Sequence, residues 1–163
     1  MTPRQARDIP RILNWFLPLI NRYLDEQDRW RKGGWLYIAQ PDGSVFFHEQ
    51  VGEVKSQEKS DRYRKLSAEK ALRLRMHPDH RTSWQSRNPD QDQWDGAVRT
   101  HDDWIFGFSG LTEAWDIGLL LAALCFHDRE ICDNYPRVAS PEAKPLVGKV
   151  LTINARIDAD LDE

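Results

Sequence analysis

A chain of 163 residues matches one ordinary domain, and seven Trp, six Phe and four Tyr supply the large side chains of a core, which excludes disorder throughout. Twenty-three Lys and Arg against 26 Asp and Glu leave a formal net charge of -3, so no field gathers nucleic acid or an anionic membrane, and neither is an expected partner. Only two cysteines occur, no opening segment has a leader pattern, and no apolar run is long enough to span a bilayer; the expected compartment is cytoplasmic.

Ile9, Ile12, Leu13, Phe16, Leu17, Ile20 and Leu24 recur at spacings of three and four, which predicts an amphipathic helix, kinked or divided at Pro18. Gly33-Gly34 closes this N-terminal region of residues 1–32. Trp35–Ala39 and Val45–Val51 then read as a hairpin around the turn Pro41-Asp42-Gly43-Ser44. A charged segment from Ser56 to Met76 keeps Tyr63, Leu66, Ala71 and Leu74 as an apolar stripe and reads as a surface helix that Pro78 ends. His77 to Trp94 is an expected long loop.

Asp95–His101 and Asp103–Ser109 form a second hairpin turning near Asp102, with Gly110 at its end. Thr112 is a candidate N-cap for a buried helix from Glu113 to about Arg129, apolar nearly all round. Pro136, Pro141 and Pro145 predict an irregular connection, and Val150–Ile157 alternates like a half-buried strand. The expectation is one domain, with a core over residues 33–130 and a C-terminal extension over 131–163. Its class is α+β: an antiparallel sheet of about five strands flanked by helices.

Asp42-Gly43 at the first turn, Lys70-Ala71 in the following helix, Gly107-Phe108-Ser109-Gly110 at a strand end and Asp116 seven residues after Ser109 occur in that order. In this the chain resembles the GlcG/HbpS-like domains, a family that includes the C-terminal domain of a class of corrinoid adenosyltransferases. Residues of about 9 to 127 follow the family plan, although Leu111 replaces the family's glycine after Ser-Gly. The resemblance implies a profilin-like fold, a non-enzymatic ligand-binding or sensing role, assembly into homo-oligomers, and haem or another tetrapyrrole as one candidate ligand. It marks Lys70, Ser109, Gly110 and Asp116 as candidate ligand-binding residues.

Each constellation also has a plainer reading. The Gly-Phe-Ser-Gly segment lacks the final glycine of a hydrolase nucleophile elbow, so Gly110 serves a tight turn, or its backbone donors receive a ligand carboxylate. Lys70 is a solvated helix residue or an anchor for an acidic ligand, and Asp116 suits a helix N-terminus. His77 and His80, three apart with Asp79 between, are candidate haem or metal ligands, or an ordinary helix end. His48 and His101 could face one pocket from two hairpins. Cys125 and Cys132, seven apart, read as structural thiols. Trp84, Trp94, Trp104 and Trp115 pack the core or cover a pocket.

No residue set has the spacing of a known catalytic motif, which leaves an enzyme as the third reading. The second is an assembly module that works through the Arg7–Trp30 helix or the Val150–Ile157 strand.

Overall fold

Thr2 starts the first helix, α1 (Pro3–Asn21): its hydroxyl accepts from Gln5 N while the Gln5 side chain accepts from Thr2 N, a reciprocal cap. The computed structural model describes the backbone of residues 1–161 and the side chains up to Thr152. Ala6, Ile9, Leu13, Phe16, Leu17 and Ile20 are buried along one stripe of α1. Of the two expected alternatives at Pro18, the division into two helices does not occur: the helix runs unbroken through it. Pro18 and Asn14 are both exposed, so water can satisfy the carbonyl that proline leaves unpaired, while the buried stripe holds the helix together.

Both hairpins form where the turn chemistry places them. Strands β1 (Lys32–Ala39) and β2 (Val45–Glu53) turn at Gly43, whose φ is 87°, with Asp42 Oδ1 accepting from Ser44 N at 2.8 Å. Strands β3 (Ala97–Arg99) and β4 (Ile105–Ser109) turn through Asp103. The four strands make one antiparallel sheet of order β2-β1-β4-β3. Leu36, Ile38, Phe106 and Phe108 point to one face, and Tyr37, Ala39 and Ile105 to the other.

Helix α2 (Gln57–Met76), capped by Ser56, lies on the second face. Its close approach depends on Gly107: a Cβ there would stand 2.4 Å from Ser67 O. Gly33 and Gly34 lie inside β1 rather than before it, because side chains would strike Val51 O at 2.4 Å and Ser109 O at 2.1 Å.

The larger core lies on the first face, under α1 and α3 (Glu113–Leu124). Helix α3 is apolar all round, as expected, but stops at Leu124. Asp128 then caps a further helix, α4 (Arg129–Val138), by accepting from Ile131 N at 3.1 Å, and Pro136 lies within that helix. The expected strand over residues 150–157 is instead part of α5 (Lys144–Leu161). Ala143, Val147 and Val150, spaced four and three, are fully buried, and α5 comes close enough to α3 that a Cβ on Gly118 would meet Leu146 Cβ at 3.1 Å. The fold is thus α+β with four strands and five helices among the described residues. None of these helices is long and apolar enough to cross a membrane.

Candidate functional site

Lys70, Ser109, Gly110 and Asp116 do converge. Lys70 points from α2 past the end of β4, its Nζ donating to Asp116 Oδ2 at 2.9 Å and to Phe108 O at 3.0 Å, with both charged side chains buried. Gly96 leaves room for it: a Cβ there would lie 2.7 Å from Nζ. Asp116 Oδ1 accepts from Gly110 N at 3.1 Å and Leu111 N at 2.8 Å. The strand-to-helix turn donors offered to a ligand carboxylate are therefore already engaged by Asp116. Burial pushes the Asp116 carboxyl up, and Lys70 and the Leu111 amide pull against that shift. Gly110 has a steric role as well, since a Cβ would lie 2.3 Å from Gly33 O.

Beside this pair opens a cleft of about 370 Å3. Lys59, Arg62, Tyr63, Leu66 and Lys70 line it from one face of α2; Trp30 and Arg31 close it from the segment before β1, Trp94 from the loop, and Leu111, Thr112 and Glu113 from the start of α3. Its acids are committed: Asp116 to Lys70, and Glu113 to Arg87 through two bonds of 2.6 and 2.9 Å. That pairing holds the Glu113 carboxyl below its usual range despite partial burial.

The cations are less fully matched. Arg31 pairs with Asp28 and donates to Leu111 O, whereas Lys59 has no carboxylate partner among the described residues and rests 3.2 Å from the Trp30 ring centroid. Arg31 and Lys55 approach the same indole, at 4.7 and 5.9 Å. Desolvation and the charges of Lys55 and Arg31 pull the Lys59 ammonium below its ordinary range.

Asp95 lies behind the cleft wall, fully buried. Oδ1 accepts from Ser83 Oγ at 2.9 Å and Gly96 N at 2.7 Å, while Oδ2 has no partner. Burial pushes its carboxyl up to about 6, against the pull of Ser83, Gly96 and Lys70.

The histidines do not join this site. His77 lines a separate open groove with Leu72 and Met76, and stacks on His80. His48 on β2 packs between Trp35 and Tyr37 with Nε2 3.2 Å from Arg64 O, and burial lowers its pKa. His101, at the end of β3 on the opposite edge of the sheet, pairs with Asp128 and Glu130. The two cannot face one pocket. Trp104 and Trp115 are core residues, Trp84 and Trp94 flank Arg87, and only Trp94 of the four lines the cleft. Cys125 and Cys132 are free but neighbours, and burial followed by the second thiol raises Cys125 far out of the reactive range.

Sequence reasoning missed Trp30, Arg31, Lys59, Arg62 and Tyr63. Part of the signal was present: residues 59, 62, 63, 66 and 70 repeat at helical spacing, a line of cations that shares Tyr63 and Leu66 with the apolar stripe. It also missed the buried arginines. Arg73 donates to Ser83 O, Ser86 O and Trp94 O, and so binds the long loop to α2.

These features define an α+β domain with a cationic, aromatic-walled cleft beside a buried Lys-Asp pair. Compared with family models, curated proteins and solved structures, the chain matches none.

Proposed function

We propose that this protein is a non-enzymatic small-ligand-binding or sensing domain whose ligand is a compact anion held in the cleft between Trp30, α2 and the β4–α3 turn. The observation that carries the reading is the imbalance of charge. Of the cations that line about 370 Å3, Arg31 pairs with Asp28, Lys70 with Asp116 and Arg62 with the exposed Asp92 at 3.6 Å, while Lys59 pairs with no carboxylate among the described residues and is crowded by Lys55 and Arg31. An anion there relieves the repulsion and gains charge-assisted hydrogen bonds. Lys70 and Asp116 are engaged with each other and with backbone groups, which suits a frame for the ligand better than proton transfer. The role agrees with what the resemblance to GlcG/HbpS-like domains implies, and a profilin-like arrangement is part of the same proposal.

Haem fits the cleft poorly. Arg31, Lys59 and Arg62 would suit its propionates, but neither histidine nor cysteine lines the cleft, and the Tyr63 phenol is raised by burial and so ill suited to binding iron as a phenolate. The assembly reading is less well supported, because the apolar stripe of α1 is inside the core and Val150 of α5 is buried, while the side chains of residues 153–157 lie outside those described.

The test is a titration of tryptophan fluorescence and heat with pyrophosphate, and separately with hemin. Saturable pyrophosphate binding is expected, and Lys59→Ala with Arg62→Ala should weaken it at least about tenfold through the loss of charge-assisted contacts. Affinity unchanged in that double variant refutes the site. A hemin Soret shift that His77→Ala and His80→Ala abolish, with no anion binding, would transfer the function to a tetrapyrrole.

A further inference from the structure

The turn after α2 gathers a second, unrelated set of groups. His77 is the helix C-cap, and His80 N donates to His77 O at 3.0 Å, so the chain doubles back over Pro78. The two imidazoles stack with centroids 4.7 Å apart and planes 14° from parallel, and an Asp79 carboxylate oxygen lies 3.9 Å from His80 Nε2. One nitrogen of each ring and one Asp79 oxygen all lie within 4.8 Å of one another. The sequence set Asp79 between the two histidines, and the turn brings its carboxylate within reach of both rings.

The side chains are free and the backbone beneath them is held. Among the described residues neither His77 nor Asp79 makes a side-chain hydrogen bond, and His80 Nδ1 is buried without a partner. Under the turn, Arg99 donates to Leu74 O at 2.6 Å, His80 O at 3.2 Å and His77 O at 3.3 Å, and its charge is offset by Asp103 at 3.2 Å. Three carbonyls tied to one buried guanidinium hold the backbone of the turn, and the rings leave their stack by side-chain rotation to point one nitrogen each at a common ion.

We infer that His77, Asp79 and His80 form a binding site for a divalent transition-metal ion. Two imidazoles and one carboxylate are the donor set of zinc, cobalt, nickel or ferrous iron, with positions left over for water or a further ligand; magnesium and calcium prefer all-oxygen sets. The other cluster of similar composition, His101, Asp102 and Asp128, is already engaged. Asp128 Oδ1 caps α4, His101 pairs with Asp128 and Glu130, and Asp102 is held by Thr100 and the N-terminal ammonium.

Calorimetry with Zn2+ on the full chain, backed by visible absorption with Co2+, tests the inference. One ion per chain is expected, with at least about tenfold weaker binding in each of His77→Ala and His80→Ala, and no change in His101→Ala. These side chains are at the surface or its margin, so far-UV circular dichroism should show the variants folded. No saturable binding up to millimolar Zn2+, an affinity in both histidine variants equal to that of the unaltered protein, or loss in His101→Ala alone overturns it. The anion titration reads a different cleft, so the two results are independent.

Discussion

Asp95→Asn is the most exposing substitution for the physics of this site. The folded protein raises the Asp95 carboxyl from 3.8 to about 6, chiefly by burial. A carboxyl raised on folding keeps its proton longer in the native state than in the unfolded chain, so between those two values the native state binds more protons and stability falls as pH rises. About two pKa units correspond to about 3 kcal/mol, lost between roughly pH 4 and pH 6 and absent thereafter. Asparagine keeps an oxygen for Ser83 and Gly96 and carries no charge to bury. Urea unfolding of both proteins from pH 4 to pH 7.5 reads the difference directly. Near pH 4 the two should agree closely, and above pH 6 the variant should be more stable by about 1–3 kcal/mol, or about 2–4 °C in Tm per kcal/mol. Asp102, whose carboxyl is lowered and which lies away from Asp95, tilts both curves the other way and cancels to first order in the difference. A stability difference that is flat with pH, or that falls as pH rises, refutes the reasoning.

The buried pair should show strong coupling: Lys70→Met alone leaves the Asp116 carboxylate unpaired and should cost about 3–5 kcal/mol, while Lys70→Met with Asp116→Asn should cost clearly less by denaturant unfolding. Gly107→Ala should destabilise by about 1–3 kcal/mol, because its Cβ would meet the backbone oxygen of Ser67 at 2.4 Å and force α2 off the sheet. Gly148→Ala, inside α5 with its nearest foreign atom at 3.7 Å, should instead stabilise by about 0.5–1 kcal/mol, and a loss there would argue against that helix.

The hairpins and α2 were legible because their signals are local. Asp42-Gly43 dictates a turn whichever neighbours it has, and Tyr63, Ala71 and Leu74 repeat at helical spacing. The C-terminal region was not, because Val150-Leu151-Thr152-Ile153 has strand-like composition that tertiary packing overrides. A clue lay elsewhere in the chain. A helix as apolar as α3 cannot be covered by a sheet on one side alone, so its remaining faces require further helices, and Ala143, Val147 and Val150 repeat at the spacing that supplies one. Lys70 was opaque for a different reason. Its neighbours Glu69, Arg73 and Arg75 resemble a solvated face, and only the fold reveals that Lys70 and Arg73 turn inward to Asp116 and to loop carbonyls.

The residues that prompted the family comparison and the residues that meet the cleft divide by role. Gly107 admits α2, Gly110 admits β1, and Lys70 with Asp116 fastens α2 to the start of α3; each is explained by packing or by hydrogen bonding within the protein. The groups that line the cleft without fastening the frame are others: Lys59, with no carboxylate partner among the described residues, and Arg62, in a long exposed pair with Asp92, at the rim, and Trp30 and Trp94 as walls. On the proposed reading the first set builds a frame and the second selects what it holds. A chain keeping the frame but exchanging Lys59 and Arg62 for acids should fold as this one does and prefer a cation, since the charge at the rim would reverse while the buried pair stayed intact.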